Sequence, residues 1–163
     1  MAIFAGQRDI SFIKKINEEL IIDVIDTEIS IYKIILGESH TNVYDETGGE
    51  NKSYYYPVKV SCLISREGQK FDSDEFGTNY NAVAKFAFLR DTVVELSLYL
   101  EVGDIVEWDN EFFEIDTVIE NQYFGGKNTE TNLGGNTFGY NVSLVCDAHI
   151  TNREKLQLVD RRY

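Results

Sequence analysis

The sequence predicts a mostly β (α+β) protein, a small β-barrel or sandwich core with an N-terminal amphipathic helix and long loops. Three observations carry this. Of 163 residues, 43% are hydrophobic, and ten Tyr and ten Phe stand against one Trp and one Met; aromatic and β-branched side chains favour pleated, half-buried surfaces. Apolar residues alternate with period two through 105–119 on either side of Asp109-Asn110, the pattern of a hairpin. One early stretch, 9–25, keeps a helical period instead. A chain of this length forms one domain: a helix over 9–25, a β core over 28–151 and a basic tail over 153–163.

In the helix, Ile10, Ile13, Ile16, Leu20, Val24 and Ile25 recur at three- and four-residue steps and form one apolar stripe. Asp9 or Ser11 stands where a cap belongs. Phe12 and Ile22 fall off the stripe, the mark of loose packing or of a second apolar face for a neighbour. Over 28–36 the period becomes that of a strand, with Ile29 and Ile31 opposite Tyr32 and Ile34. A polar loop, 37–53, leads through Tyr54-Tyr55-Tyr56-Pro57 to a strand over 58–65, and Arg66-Glu67-Gly68-Gln69 makes a turn. The polar stretch 72–79 is assigned no strand. A strand over 82–89 follows, with Ala84, Phe86 and Phe88 on one face, and Asp91 is placed to cap a short helix reaching Leu98.

The hairpin 105–108 and 111–119 puts Phe113, Ile115 and Ile119 on one face, and a final strand spans 140–151. Val106, Trp108, Phe113 and Ile115 are expected to share a core with Phe86 and Val145. The loops 37–53 and 121–139 both exceed the roughly 12–15 residues beyond which a loop in a compact domain has a function or no fixed structure. They carry Tyr44, Tyr123, Phe124 and Phe138, too aromatic for solvated spacers. These four are expected at an oligomer interface, ordered by contact with neighbouring subunits.

The formal net charge of −13 argues against general duplex binding, since Lys and Arg carry affinity for phosphates, and it disfavours an anionic membrane surface. Eight carboxylates and no base lie between 101 and 120, whereas the tail 153–163 has four basic residues against two acidic, a net of 4 − 2 = +2. Opposite charges in separate places suit a chain that docks on copies of itself, which makes Arg161 and Arg162 interface candidates. Glu107, Asp109, Glu111, Glu114 and Asp116 are candidates for an exposed acidic face or the wall of a channel.

No catalytic, cofactor or metal site is predicted. The carboxylates of 101–120 match the solvated face of a hairpin better than an acid/base pair, since Glu114 and Asp116 alternate with the apolar set. Asp72-Ser73-Asp74-Glu75-Phe76-Gly77 opens like a calcium loop, but Phe76 fills the fifth position and Val83 stands where the bidentate Glu belongs. His40, His149, Cys62 and Cys146 lack any zinc-ligand spacing. No Ser lies in GxSxG, and no GK[ST] follows Gly125-Gly126 or Gly134-Gly135. The two cysteines, far apart in strand-like runs, read as buried thiols of a cytosolically made protein. No run reaches the roughly 18 apolar residues of a membrane span, and Arg8, Lys14 and Lys15 are not followed by an apolar leader.

Several segments in order resemble the neck proteins of T-even-type contractile-tailed phages. They are Thr41-Asn42-Val43-Tyr44-Asp45-Glu46, then Lys52-Ser53-Tyr54-Tyr55-Tyr56-Pro57, then Val102-Gly103-Asp104-Ile105-Val106-Glu107-Trp108, followed by Phe112-Phe113-Glu114-Ile115, Glu120-Asn121-Gln122 and Gly125-Gly126. More broadly, Gly-Asp-apolar-apolar, a turn, then aromatic-Glu-apolar is similar to head-closure and connector proteins built on small β-barrels. The resemblance implies a virion protein without a cofactor, in a ring of six or twelve copies between head and tail. Its partners would be copies of itself, portal or adaptor proteins on the head side, and tail terminator or tail-tube proteins on the other. DNA would pass only as cargo along a channel that acidic walls keep from gripping it, and no membrane is involved. A tail terminator or tail-completion ring is the nearest alternative, and a carbohydrate-binding β-module the more distant one.

Overall fold

Antiparallel ladders organise the middle of the chain. The computed structural model describes residues 7–35, 52–66, 70–74, 77–120, 123–124, 127–128 and 142–151. The elements are α1 (Gln7–Glu19), a π turn (Leu20–Ile25), β1 (Glu28–Tyr32), β2 (Val58–Ser61), β3 (Leu63–Arg66), β4 (Lys70–Asp74) and β5 (Gly77–Asn81). Then come β6 (Val83–Leu89), α2 (Arg90–Glu95), β7 (Ile105–Trp108), β8 (Glu111–Glu120), β9 (Tyr123–Phe124), β10 (Lys127–Asn128) and β11 (Ser143–Thr151). Seven strands form one antiparallel sheet in the order β2-β1-β7-β8-β11-β6-β3. Its first and last strands are halves of a single segment, 58–66, bent at Cys62, whose N–H donates to the Thr27 carbonyl (3.0 Å). The sequence reads this segment as one strand. The bend lets its first half pair with β1 and its second with β6. No ladder joins the first and last strands, so the sheet is an open barrel curled around its inner face.

That inner face carries the core. Ile29, Ile31, Val60, Cys62, Ala84, Phe86, Phe88, Val106, Phe113, Ile115, Leu144, Cys146 and Ala148 are buried in one cluster, with Trp108 packed on its margin. Phe86 meets Phe113 edge-on, ring centroids 5.6 Å apart, the favoured geometry for two aromatic quadrupoles. The expected core is therefore present except for Val145. Leu144, Cys146 and Ala148 point inward instead, which puts Val145 in the outward phase with Asp147 and His149.

The β7–β8 hairpin forms as its pattern requires. Asp109 (φ 52°) and Asn110 (φ 63°) are both left-handed, the two-residue turn whose twist matches the flanking strands. Ile119 corrects the expected face: it is 53% exposed, whereas Phe113 and Ile115 are fully buried. Thr117 pairs with Asp147 and Ile115 with Ala148, so Asp116 is the extra residue of a bulge. Beyond it the side chains swap faces, and Val118 turns toward the core.

Three further expectations are revised. The polar stretch 72–79 lies in the β4–β5 hairpin, paired from Lys70↔Asn81 to Asp74↔Gly77. The helix over 9–25 is an α-helix followed by a π turn, closed by left-handed Asp26, whose N–H donates to the Ile21 carbonyl (3.1 Å). Asp91 does not cap α2; extended Leu89 holds that position, and Asp91 binds Lys14 instead. The far end of α2 closes on left-handed Ser97, with Leu98 N–H to Val93 O (3.0 Å) and Ser97 N–H to Val94 O (2.9 Å). Leu98 packs with Val93 in the core, the apolar contact usual for this ending. No helix among the described residues is long and apolar enough to cross a membrane.

Candidate functional site

The Gly103-Asp104 pair begins at a turn that a side chain would strain. Gly103 has φ 94°, and an added Cβ would meet nothing within 4 Å; backbone conformation, not space, demands glycine here. The Asp104 carboxylate is fully buried. It accepts from Ile34 N–H (3.1 Å), Glu101 N–H (2.8 Å) and Lys33 Nζ (3.4 Å). Lys33 also reaches Glu101 (2.7 Å) and the Tyr99 carbonyl. The end of β1 is thus tied to the turn before β7 by a buried charge with its acceptors filled, the condition for burying one at all. Sequence reasoning saw the motif and missed its partner. Lys33, the lone base of the segment 28–36, was the available signal.

The acidic hairpin candidates are mostly engaged by their own chain. Glu107 accepts from the Tyr32 hydroxyl (2.6 Å), Glu114 pairs with Lys52 (2.8 Å), Glu111 with Arg66 (2.9 Å) and Asp116 with His149 Nδ1 (2.8 Å). One of these partners, Lys52, comes from a second layer: the segment 52–57, bridged just beyond β1 through Ile34↔Tyr54, lays Tyr54 against Ile105, Phe112 and Tyr32. Burial, with the Glu114 and Asp104 carboxylates nearby, pushes the Tyr54 phenol above its ordinary value. Asp109 sits exposed in the turn. Tyr123 and Phe124 lie in β9, paired with β10; their side chains, and Tyr44, Phe138, Arg161 and Arg162, lie outside the described residues.

Of the four histidines and cysteines, Cys62 and Cys146 are inside the barrel while His149 is bonded to Asp116 outside, so these three are not gathered; His40 lies outside the described residues. Burial, and for Cys62 the adjacent Cys146, raises both thiols to about 12. A thiol so raised is not a nucleophile at neutral pH. Among the described residues no group of three or more His, Cys, Asp or Glu is placed to hold a metal.

Among the described residues, a run of exposed large apolar side chains lies on the helix. Ile13, Lys14, Asn17 and Ile21 form its inner side, with Ile21 buried. Lys14 grips both oxygens of Asp91 (2.8 and 3.0 Å). Successive residues lie roughly 100° apart around a helix, so Phe12, Ile16, Leu20 and Val24 fall well to one side of this seat. They are 65%, 45%, 45% and 72% exposed. In sequence Phe12 looks off-stripe because a four-residue step leads by about 40° in an α-helix. The wider π turn takes back about one such step before Val24, so the four stay on one side of the helix.

Fold and surface together define a small open-barrel β-domain carrying an amphipathic helix whose apolar side is turned outward. The structure is similar to a chain in the virion of a native gene transfer agent particle. The TM-score is 0.50 at 10% identity, covering 76% of this chain and 91% of that one. At that identity the likeness is one of fold. No protein-family model matches the sequence, and no curated protein matches it.

Proposed function

We propose that this chain is a structural subunit of a tailed-phage-type particle, assembling as a homo-oligomeric ring in the neck where the DNA-filled head joins the tail. The observation that carries this reading is the fold likeness to a virion chain, nearly all of whose length is matched. The ordered series of motifs supports the same reading, and so does the outward apolar stripe, since a large exposed apolar face marks an interaction surface. A role without catalysis fits the acidic segment, where Glu111, Glu114 and Asp116 are held by Arg66, Lys52 and His149. The Arg66 and Lys52 pairings also reduce the net charge that these residues would present to a DNA channel, leaving Asp109 and Asp116 as the exposed carboxylates of the five.

The test is electron microscopy and mass measurement of the purified chain, alone and with portal complexes. Closed rings that seat on portals support the neck position. Rings that seat only on tail tubes make the protein a tail terminator or completion ring. Exposed Tyr55, Tyr56 and Tyr99 favour the carbohydrate-binding module as a second reading, and a monomer that binds glycans would replace the ring by that function.

A further inference from the structure

We propose that the outward stripe of α1 and the π turn seats residues 153–163 of a second copy, so that each copy gives its tail to one neighbour and receives one from another. The proposal rests on the ring reading and names the contact that joins its subunits.

Charge is the first argument. From Ile16 to Tyr32 the chain carries Glu18, Glu19, Asp23, Asp26 and Glu28 with no basic residue, a charge of −5. Local compensation is weak: Glu19 meets Lys15 at 4.0 Å and Glu28 meets Lys59 at 3.4 Å. The tail carries +2 and interleaves Arg153, Lys155, Arg161 and Arg162 with Leu156, Leu158, Val159 and Tyr163. An acidic helix flank with an apolar stripe thus faces a basic segment with apolar side chains of its own, in a chain of net −13 where bases are scarce.

Position decides between the chain's own tail and a neighbour's. β11 runs from Ser143, opposite Leu89, to Thr151, opposite Phe112, about 27 Å in eight steps. The helix is moored at the Leu89 end, by Lys14 on Asp91 and by Thr27 on Cys62, beside the Leu63↔Ala87 pair. The tail therefore leaves from the opposite end. The 12 residues after Thr151 reach about 41 Å fully extended. Returning along the strand takes about 27 Å and leaves about 14 Å, short of the stripe from Phe12 to Val24, about 18 Å long. A tail arriving from a neighbour has no such return. Donor and acceptor are different surfaces at opposite ends, the head-to-tail relation that gives a ring where the rotation closes and an open chain where it does not.

The experiment mixes two full-length variants, Leu20→Cys and Leu158→Cys, and bridges them with a short bis-maleimide; the native thiols are buried and stay silent. Leu20 is exposed, so its change leaves the core intact. The expected result is a bridged pair of one chain of each kind, falling several-fold in 1 M salt, where the screening length is about 3 Å. No bridge in the mixture overturns the proposal. So does a Leu20→Cys/Leu158→Cys double variant that bridges only within single chains. The mass of the unaltered protein is read alongside. Rings without bridges remove the tail contact and leave the ring reading standing, while bridges in open chains with no closed ring keep the contact and remove the ring.

Discussion

Replacing Asp104 with Ala removes a fully buried carboxylate that accepts from two backbone N–H groups and one ammonium. Ile34 and Glu101 each lose a hydrogen bond to a charged acceptor, worth roughly 1.5–3 kcal/mol. Lys33 keeps Glu101 and the Tyr99 carbonyl and lies partly in solvent, so its share is small. Glu101 is itself exposed, and water recovers part of its bond. The expected loss is about 3–5 kcal/mol, in line with breaking a buried charged network, and a large fraction of the 5–15 kcal/mol typical of a domain. Urea unfolding of D104A against wild type measures it, with hydrogen exchange at the Ile34 and Glu101 amides as the local readout. Asp104→Asn is expected to recover only part of this, because in either orientation its amide nitrogen sets a donor against at least one of the donors. A loss below about 1 kcal/mol with unchanged protection at both amides refutes the reasoning.

Phe113→Ala empties the centre of the barrel beneath Phe86 and Trp108 and is expected to cost about 3–5 kcal/mol by denaturant unfolding; a small loss means the ring is not enclosed. Gly103→Ala is expected to cost about 1–3 kcal/mol from backbone strain alone, since space is free, whereas Ser97→Gly at left-handed φ 53° should raise stability by a few tenths to about 1 kcal/mol. The two thiols should react with maleimide at pH 8 only as fast as the protein opens, and labelling at the rate of a free thiol would contradict their burial. Raised to about 12 in the fold from 9.0, they leave stability unaffected below pH 9. Between pH 9 and 12 the unfolded chain gives up these protons first, so their contribution falls as pH rises; Cys62→Ala and Cys146→Ala should flatten that alkaline slope.

What could be read from the sequence was whatever a single strand decides for itself. Phe113 and Ile115 alternate with Glu114, and Asp109-Asn110 accepts left-handed turns, so the hairpin and its inner face followed. Ile119 did not, because Asp116 is surplus only relative to β11, a relation between two strands. Val145 was placed wrongly although Asp147 and His149, in its own phase, marked that phase as outward. The β4–β5 hairpin escaped because its inner stretch, 72–79, is mostly polar and its ladder is held by backbone bonds that any sequence can make. The helix was legible as an element, but which of its sides would meet the barrel depended on Lys14 finding Asp91, 77 residues away.

The bend at Cys62 has a consequence for assembly. Both margins of the sheet are made by one short segment, so each offers a template of only four residues, Val58–Ser61 on one side and Leu63–Arg66 on the other. A strand from another copy adding to either margin would gain few backbone bonds before the chain turns away, and short margins are how soluble β-proteins resist such addition. Copies of this domain can crowd together at high local concentration without zipping edge to edge. In the ring proposed above, association would be left to side chains on the helix, where charge and shape select the partner.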